Sequence, residues 1–164
     1  MERTFLQQGG KQRETEWINQ GSGAAMRRIT LADREFHESG TLVRERRRTP
    51  AENGAELHLD QRWYLNGQPR DKNEFIAVEG RGGRRETRYH DNGQLSHEGV
   101  FVRDRGVQQT VGVHKTYDSS GRLRGEKYCD SRGRVSRERE LDESGNVKRD
   151  DELFEDGSRK AYSQ

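Results

Sequence analysis

The chain has 164 residues, of which 27% are hydrophobic and 37% are charged, and this composition is wrong for a two-layered sandwich with a continuous apolar face. Its 31 basic and 29 acidic residues nearly cancel, which argues against the one-signed surface that nucleic-acid binding needs. A single cysteine, Cys129, excludes an internal disulfide and a cysteine metal cage.

No apolar stretch is long enough to cross a membrane. The first ten residues, MERTFLQQGG, have neither the basic start nor the apolar centre of a secretion signal. The sequence as it stands therefore predicts a cytoplasmic protein, or a periplasmic one if a signal had been removed. It predicts no integral membrane segment and no nucleic-acid partner.

Residues 1–59 show a less regular spacing of glycines than the rest of the chain. Gly10, Gly21 and Gly23 do not keep a constant spacing, and TPAENGAEL at 49–57 is interpreted as a longer loop or an insertion. We predict irregular hairpins over residues 1–59 and regular hairpin repeats over residues 60–160. Both belong to one repeat domain of residues 1–164.

From residue 40 onwards, glycine recurs at a nearly constant spacing. The intervals are 14, 13, 13, 13, 13, 15, 12, 12 and 12 residues for Gly40, Gly54, Gly67, Gly80, Gly93, Gly106, Gly121, Gly133, Gly145 and Gly157. A unit of about a dozen residues has room for one strand and one turn, so the period predicts an array of hairpins. The glycines assigned as structural turn positions are Gly40, Gly67, Gly93, Gly121, Gly133, Gly145 and Gly157.

The residues that flank these glycines predict the type of turn. An aromatic or aliphatic residue stands four positions before the glycine and another stands two positions after it, as in Tyr89 with Leu95 and Tyr117 with Leu123. In a three-residue loop such as DNG or SSG, the first two residues form a type I turn and the glycine takes the left-handed bulge position. This loop places the two flanking residues opposite each other on one face.

The strand centres carry charge instead of apolar residues, as in RERE at 137–140. We therefore predict an all-β fold, a single-layer twisted antiparallel β-meander of repeated hairpins, elongated and largely solvated on both faces. Ladder hydrogen bonds, cross-strand pairs and arginine–carboxylate pairs would hold it together. Its terminal strands would be exposed edges, through which two copies could pair as a homodimer.

No pattern in the sequence predicts catalysis. The histidines lack the spacing of a zinc motif and are interpreted as solvated strand residues: His37, His58, His90, His97 and His114. There is no nucleophile elbow, and the glycines of EGRGG at 79–83 precede no helix that could cradle a phosphate. We predict no enzymatic activity, no catalytic residue, no metal and no cofactor.

Candidate contact residues are aromatic and arginine side chains outside the predicted packing pairs. Tyr64 and Tyr128 lie off the register of those pairs and should point to the other face, where a lone ring on a charged sheet has little to pack on. Large rings and arginine dominate interface energies. The predicted partner-binding residues are Tyr64, Arg88, Arg122, Arg124 and Tyr128.

The units RYHDNGQLSHEGVFVRDRGVQQ at 88–109 and QRWYLNGQPRDKNEFIAVEGRGG at 61–83 resemble the bacterial variant of the MORN (membrane occupation and recognition nexus) repeat. The resemblance covers residues 60–160 and implies a binding module built of hairpins. Small bacterial proteins of this kind are commonly antitoxins or immunity proteins, which block toxins delivered by contact-dependent or type VI secretion, including phospholipase effectors. The resemblance thus implies a cognate protein toxin as the partner, inhibited by occlusion.

A second function stays open beside toxin inhibition. MORN repeats of eukaryotes are tied to membrane lipids and scaffolding, so a peripheral membrane-associated or structural scaffold is the alternative. A membrane scaffold needs a cationic face, since anionic lipids attract clusters of basic residues. The one basic run is RERRR at 44–48.

Overall fold

The computed structural model describes residues 2–8 and 11–162, with side chains from residue 12 onwards. The chain divides into two compact units, one up to Phe75 and the other from Ile76. The strands of the first unit are β1 (Glu2–Gln8), β2 (Lys11–Gln20), β3 (Arg27–Phe36), β4 (Leu42–Ala51), β5 (Gly54–Trp63) and β6 (Pro69–Val78). The last residues of β6 extend beyond Phe75, where the first unit ends. A short 3₁₀ turn, Gly23–Ala25, joins β2 to β3.

The second unit contains seven further strands. They are β7 (Arg81–Tyr89), β8 (Leu95–Asp104), β9 (Val107–Tyr117), β10 (Leu123–Cys129), β11 (Val135–Leu141), β12 (Val147–Leu153) and β13 (Arg159–Ala161). Within each unit, consecutive strands pair antiparallel in an open, single-layer meander. The predicted all-β meander is confirmed. Among the described residues, no helix is long and apolar enough to cross a membrane.

The seven assigned turn glycines share one geometry, with φ between 78° and 84°. At Gly93, the glycine N–H donates to the His90 carbonyl at 3.0 Å, and the His90 N–H donates to the Gln94 carbonyl at 2.8 Å. These two bonds define a three-residue loop with a type I turn and a glycine bulge. Tyr89 consequently lies opposite Leu95.

Polar side chains inside these turns hold the backbone in place. Asp118 Oδ1 accepts hydrogen bonds from the N–H groups of Ser120 at 2.9 Å and Arg122 at 3.1 Å. In the turn at Gly93, Asn92 Oδ1 accepts from the N–H of Gln94 at 3.0 Å. Short acceptor side chains at these positions are the reason that Asp and Asn recur before the glycine.

A second kind of turn alternates with the first over residues 52–106. Arg105 and Gly106 both have positive φ, 47° and 84°, between the paired residues Asp104 and Val107. Two central residues with positive φ make a two-residue type I′ hairpin. TPAENGAEL also reverses in two residues, since Ala51 pairs with Gly54, but Glu52 and Asn53 lack positive φ and the turn is not of type I′. The expected longer loop is wrong because two residues suffice to reverse the chain there. The irregular Gly10 lies outside the described residues.

The strand centres bury carboxylates beneath arginines. Five carboxylate residues are 4–9% exposed, namely Glu14, Asp33, Glu45, Glu86 and Glu126. Arg34 shows how they are covered, since its guanidinium lies 2.8 Å from Glu45 and 2.7 Å from Glu16. The expected solvation of both faces is therefore wrong for these carboxylates, because an arginine is long enough to lie across the neighbouring strand and shield its partner.

Candidate functional site

The second unit has two faces of different character. Pairing residues point to the same side of a sheet, so the register places Arg88, His97 and Thr116 on one face, which we call the histidine face. The opposite face, which we call the tyrosine face, carries Tyr117 and Tyr128.

Three rings pack together on the histidine face. The His114 ring stands edge-on to Phe101, with centroids 4.9 Å apart, and its centroid is 5.5 Å from that of His97. His114 is 7% exposed, and its Nε2 lies 2.8 Å from the carbonyl oxygen of Val100. The interpretation of His114 as a solvated strand residue is therefore wrong.

Gly99 explains how His114 becomes buried. A Cβ at position 99 would overlap the imidazole ring, so the ring occupies the space that any other residue would fill. The register between β8 and β9 shifts at the same place, between Glu98 and Val100. A glycine inside a strand pattern is the sequence signal for such a close approach, and it was available in HEGVF at 97–101.

Glu86 is the buried carboxylate beside these rings. It is 4% exposed and lies 2.6 Å from Arg88 and 3.1 Å from Arg84. His97 Nδ1 is 4.0 Å from the same carboxylate. Burial, together with the charge of His114, lowers the pKa of the His97 imidazole despite this acidic neighbour.

A depression of about 570 Å³ continues from the two histidines across the strands that follow. Its floor includes Gly125, which has no side chain to fill it. Charged residues of both signs on the histidine face line it, namely Arg124, Lys127, Glu138, Glu140 and Arg149. No group of three or more potential metal ligands lies together in residues 2–8 and 11–162. The site can accept charged or polar groups of both signs from a ligand.

Two of the predicted contact residues come together beside this depression. Arg122 lies 3.2 Å and Arg124 lies 3.6 Å from the same carboxylate oxygen of Asp118. Arg122 also donates to the carbonyl of Glu143 at 3.0 Å. Of the pair, Arg124 lines the depression. Arg88 is on the histidine face, where it pairs with Glu86.

Tyr128 lies on the tyrosine face and has more to pack on than expected. Arg137 stacks between two rings, 5.0 Å from the Tyr128 centroid and 3.5 Å from that of Tyr162. The Tyr128 hydroxyl donates to Glu126 at 3.2 Å, and burial, with that carboxylate, raises the pKa of the phenol. The expectation of a lone ring is wrong because a neighbouring arginine provides a flat partner.

Tyr64 belongs to the first unit, at the first position of the Gly67 turn. Its N–H donates to the Gln68 carbonyl at 2.9 Å, and its carbonyl accepts from Gly67 at 3.0 Å. The half-buried side chain lines a depression of about 390 Å³ together with Arg44 and Arg70. The contact roles of Tyr64 and of the other four residues stay predictions.

Comparison with known proteins does not place this chain in a family. No family model matches the chain, and no curated protein matches it. Ten chains of solved structures match, among them the crystal structure of a protein with unknown function from Bacteroides fragilis. It is 8% identical, with a TM-score of 0.23, over 83% of this chain and 91% of that one.

Proposed function

We propose that this protein is a non-catalytic binding module that occludes a protein toxin, the immunity role implied by the repeat resemblance. The observation that carries the proposal is the depression on the histidine face, where side chains of both charges are held in position by ion pairs. Lys127 lies 3.3 Å from Glu138, and Arg159 lies 2.9 Å from the same carboxylate. Side chains that are ordered before binding lose less entropy when a partner docks.

The mechanism would be coverage of a functional cleft on the toxin. A polar depression with cations and anions matches a partner surface that presents the opposite pattern, and such matching governs specificity and the rate of encounter. The buried rings and Glu86 beside it provide a rigid support. A type VI effector such as a phospholipase is the proposed class of target.

The membrane scaffold finds less support in the basic run at 44–48. Each of its four arginines contacts a carboxylate: Arg44 with Asp60, Arg46 with Glu35, Arg47 with Glu45 and Arg48 with Asp33. Cations that are neutralised within the protein add little to attraction toward an anionic lipid surface.

The test is capture from a lysate of the native host with the tagged protein, followed by washing at high salt and mass spectrometry. The proposal expects one stoichiometric secreted effector, which the purified protein then binds and inhibits. Arg124→Glu, inside the depression, should weaken that binding about tenfold or more, as expected for an interface arginine. Arg132→Glu, an exposed turn residue of the same unit outside the depression, is the matched control.

Recovery of lipid, or of many structural proteins without a single partner, would favour the scaffold instead. If Arg124→Glu and Arg132→Glu bound the captured effector equally well, the toxin would remain the partner, but its contact surface would lie outside the depression.

A further inference from the structure

A cluster of arginines surrounds a separate depression in the first unit, which we call the arginine basin. It measures about 520 Å³ and is lined by Arg13, Arg27, Arg28, Arg48, Asp33 and Thr30, among other residues. Among its lining residues four are cationic and one, Asp33, is anionic. The basin therefore has an excess of three positive charges.

Two of the arginines are fixed by the buried carboxylate. Asp33 is 5% exposed, and its Oδ1 accepts from Arg13 Nη2 at 2.6 Å and Nε at 3.2 Å. Its Oδ2 accepts from Arg48 Nη1 at 2.9 Å. Burial alone would raise the pKa of Asp33, but the hydrogen bonds from the two guanidinium groups outweigh burial and lower it. The carboxylate thus stays charged and orients both guanidinium groups.

Neither of the other two arginines pairs with a carboxylate among the residues whose side chains the structure describes. Arg27 Nη2 donates to the carbonyl of Glu52 at 3.0 Å. Arg28 lies over the ring of Trp17, 3.7 Å from its centroid, and that ring is 7% exposed. Stacking uses the flat face of a guanidinium and leaves the N–H groups at its edge able to donate.

The basin thus presents hydrogen-bond donors in excess of its own acceptors. Each guanidinium has five N–H donors in a planar fork. The bonds described above use two donors of Arg13 and one each of Arg27 and Arg48. Cations gathered in a concave site raise the local concentration of anions.

We propose that the arginine basin binds a phosphate dianion, either free or as a monoester. A phosphate carries about −1.5 to −2 charges at pH 7 and three strong acceptor oxygens, so it matches converging guanidinium groups better than a single carboxylate does. Arg27 and Arg28 contact the ligand, while Asp33 positions Arg13 and Arg48 at its other side. This site is independent of the proposed toxin contact.

The test is a titration followed by NMR of the arginine Nε–H signals, with ionic strength held constant so that general screening does not change. The probes are inorganic phosphate, glycerol phosphate and acetate. The proposal expects saturable shifts with both phosphates and binding at least about tenfold weaker for acetate, which has one charge and two acceptor oxygens. Tighter binding of glycerol phosphate than of inorganic phosphate would identify a monoester, and the reverse order would identify free phosphate.

Variants locate the response. Arg27→Gln and Arg28→Gln should each weaken phosphate binding about tenfold, because each removes a charge-assisted donor. Arg103→Gln, an exposed arginine of the second unit, should bind as the unchanged protein does. Arg13 and Arg48 are not substituted, because losing either would take a cationic partner from the buried Asp33 carboxylate and destabilise the fold. Shifts that do not saturate, that acetate reproduces with equal affinity, or that survive both basin variants would overturn the proposal.

Discussion

Individual arginines decide which charges this protein can bury. Asp33 is nearly inaccessible and yet ionised, because Arg13 and Arg48 donate three hydrogen bonds to it from two strands. A surface ion pair adds little stability, whereas removing one partner of a buried pair leaves an uncompensated charge. Substituting a buried carboxylate should therefore lower the free energy of unfolding much more than substituting an exposed one.

Asp33→Asn tests that difference. The amide cannot neutralise the two arginines, so we expect the free energy of unfolding to fall by about 3 kcal/mol. Glu155→Gln removes a carboxylate that pairs with Arg134 and is 84% exposed, and it should cost less than about 1 kcal/mol. Urea unfolding of both variants gives the comparison. Similar losses for the two variants would show that burial of Asp33 contributes nothing special.

Gly99→Ala tests the packing of His114. The added methyl group overlaps the imidazole ring, so the ring or the strand must move, at a cost of about 1–3 kcal/mol. Gly82→Ala is the control, since a methyl group there meets nothing within 4 Å. Urea midpoints measure stability, and the His114 ring signals in an NMR spectrum should shift for Gly99→Ala alone. An unchanged midpoint and ring signal for Gly99→Ala would contradict the packing.

At the scale of elements, the turn glycines set the register of each hairpin. Gly145 has φ of 83°, and its turn places Leu141 opposite Val147. A two-residue loop would move one member of this pair to the other face. The glycine repeat of the sequence therefore specifies both where the chain reverses and which side chains meet.

Gly145→Ala isolates the backbone requirement, because a Cβ there meets no atom within 4 Å. The left-handed conformation should cost alanine about 1–2 kcal/mol. Gly145→Asn should lose less, since asparagine tolerates this conformation better. Thermal or urea unfolding ranks the three proteins, and an asparagine variant less stable than the alanine variant would be inconsistent with the assigned turn.

Across the whole molecule, shifted pKa values make the free energy of unfolding depend on pH in two ranges. The folded pKa of His97 is lowered, so the folded state takes up its proton later than the unfolded state does as pH falls. Stability should therefore decline from about pH 6.5 downward, the ordinary pKa of histidine. The Asp118, Glu138 and Asp150 carboxylates also have lowered pKa values, so their contribution is present above about pH 4 and is lost below it.

Urea unfolding between pH 8 and pH 3 measures this profile. His97→Gln should remove the decline that starts near pH 6.5 and should keep the loss of stability below about pH 4. A wild-type profile that is flat down to about pH 4 would contradict the burial of His97.

The local structure of this protein could be predicted from its sequence. Glycine spacing and flanking pairs such as Tyr117 with Leu123 predicted the antiparallel meander and its three-residue loops, because a turn and the two residues across it are close in the chain. The two-residue turn at Gly106 was merged into the same period, since both turn types place glycine at similar intervals.

The surroundings of the strand centres, in contrast, depend on which strands pair. The sequence did not indicate which of the charged residues at the strand centres would be buried. Asp33 is shielded from solvent by Arg13 and Arg48, which lie on the two neighbouring strands. The contact of His114 with Gly99 likewise depends on a register shift between two strands. Such neighbours are set by pairing across the sheet, and a single sequence read along its length does not encode their distances.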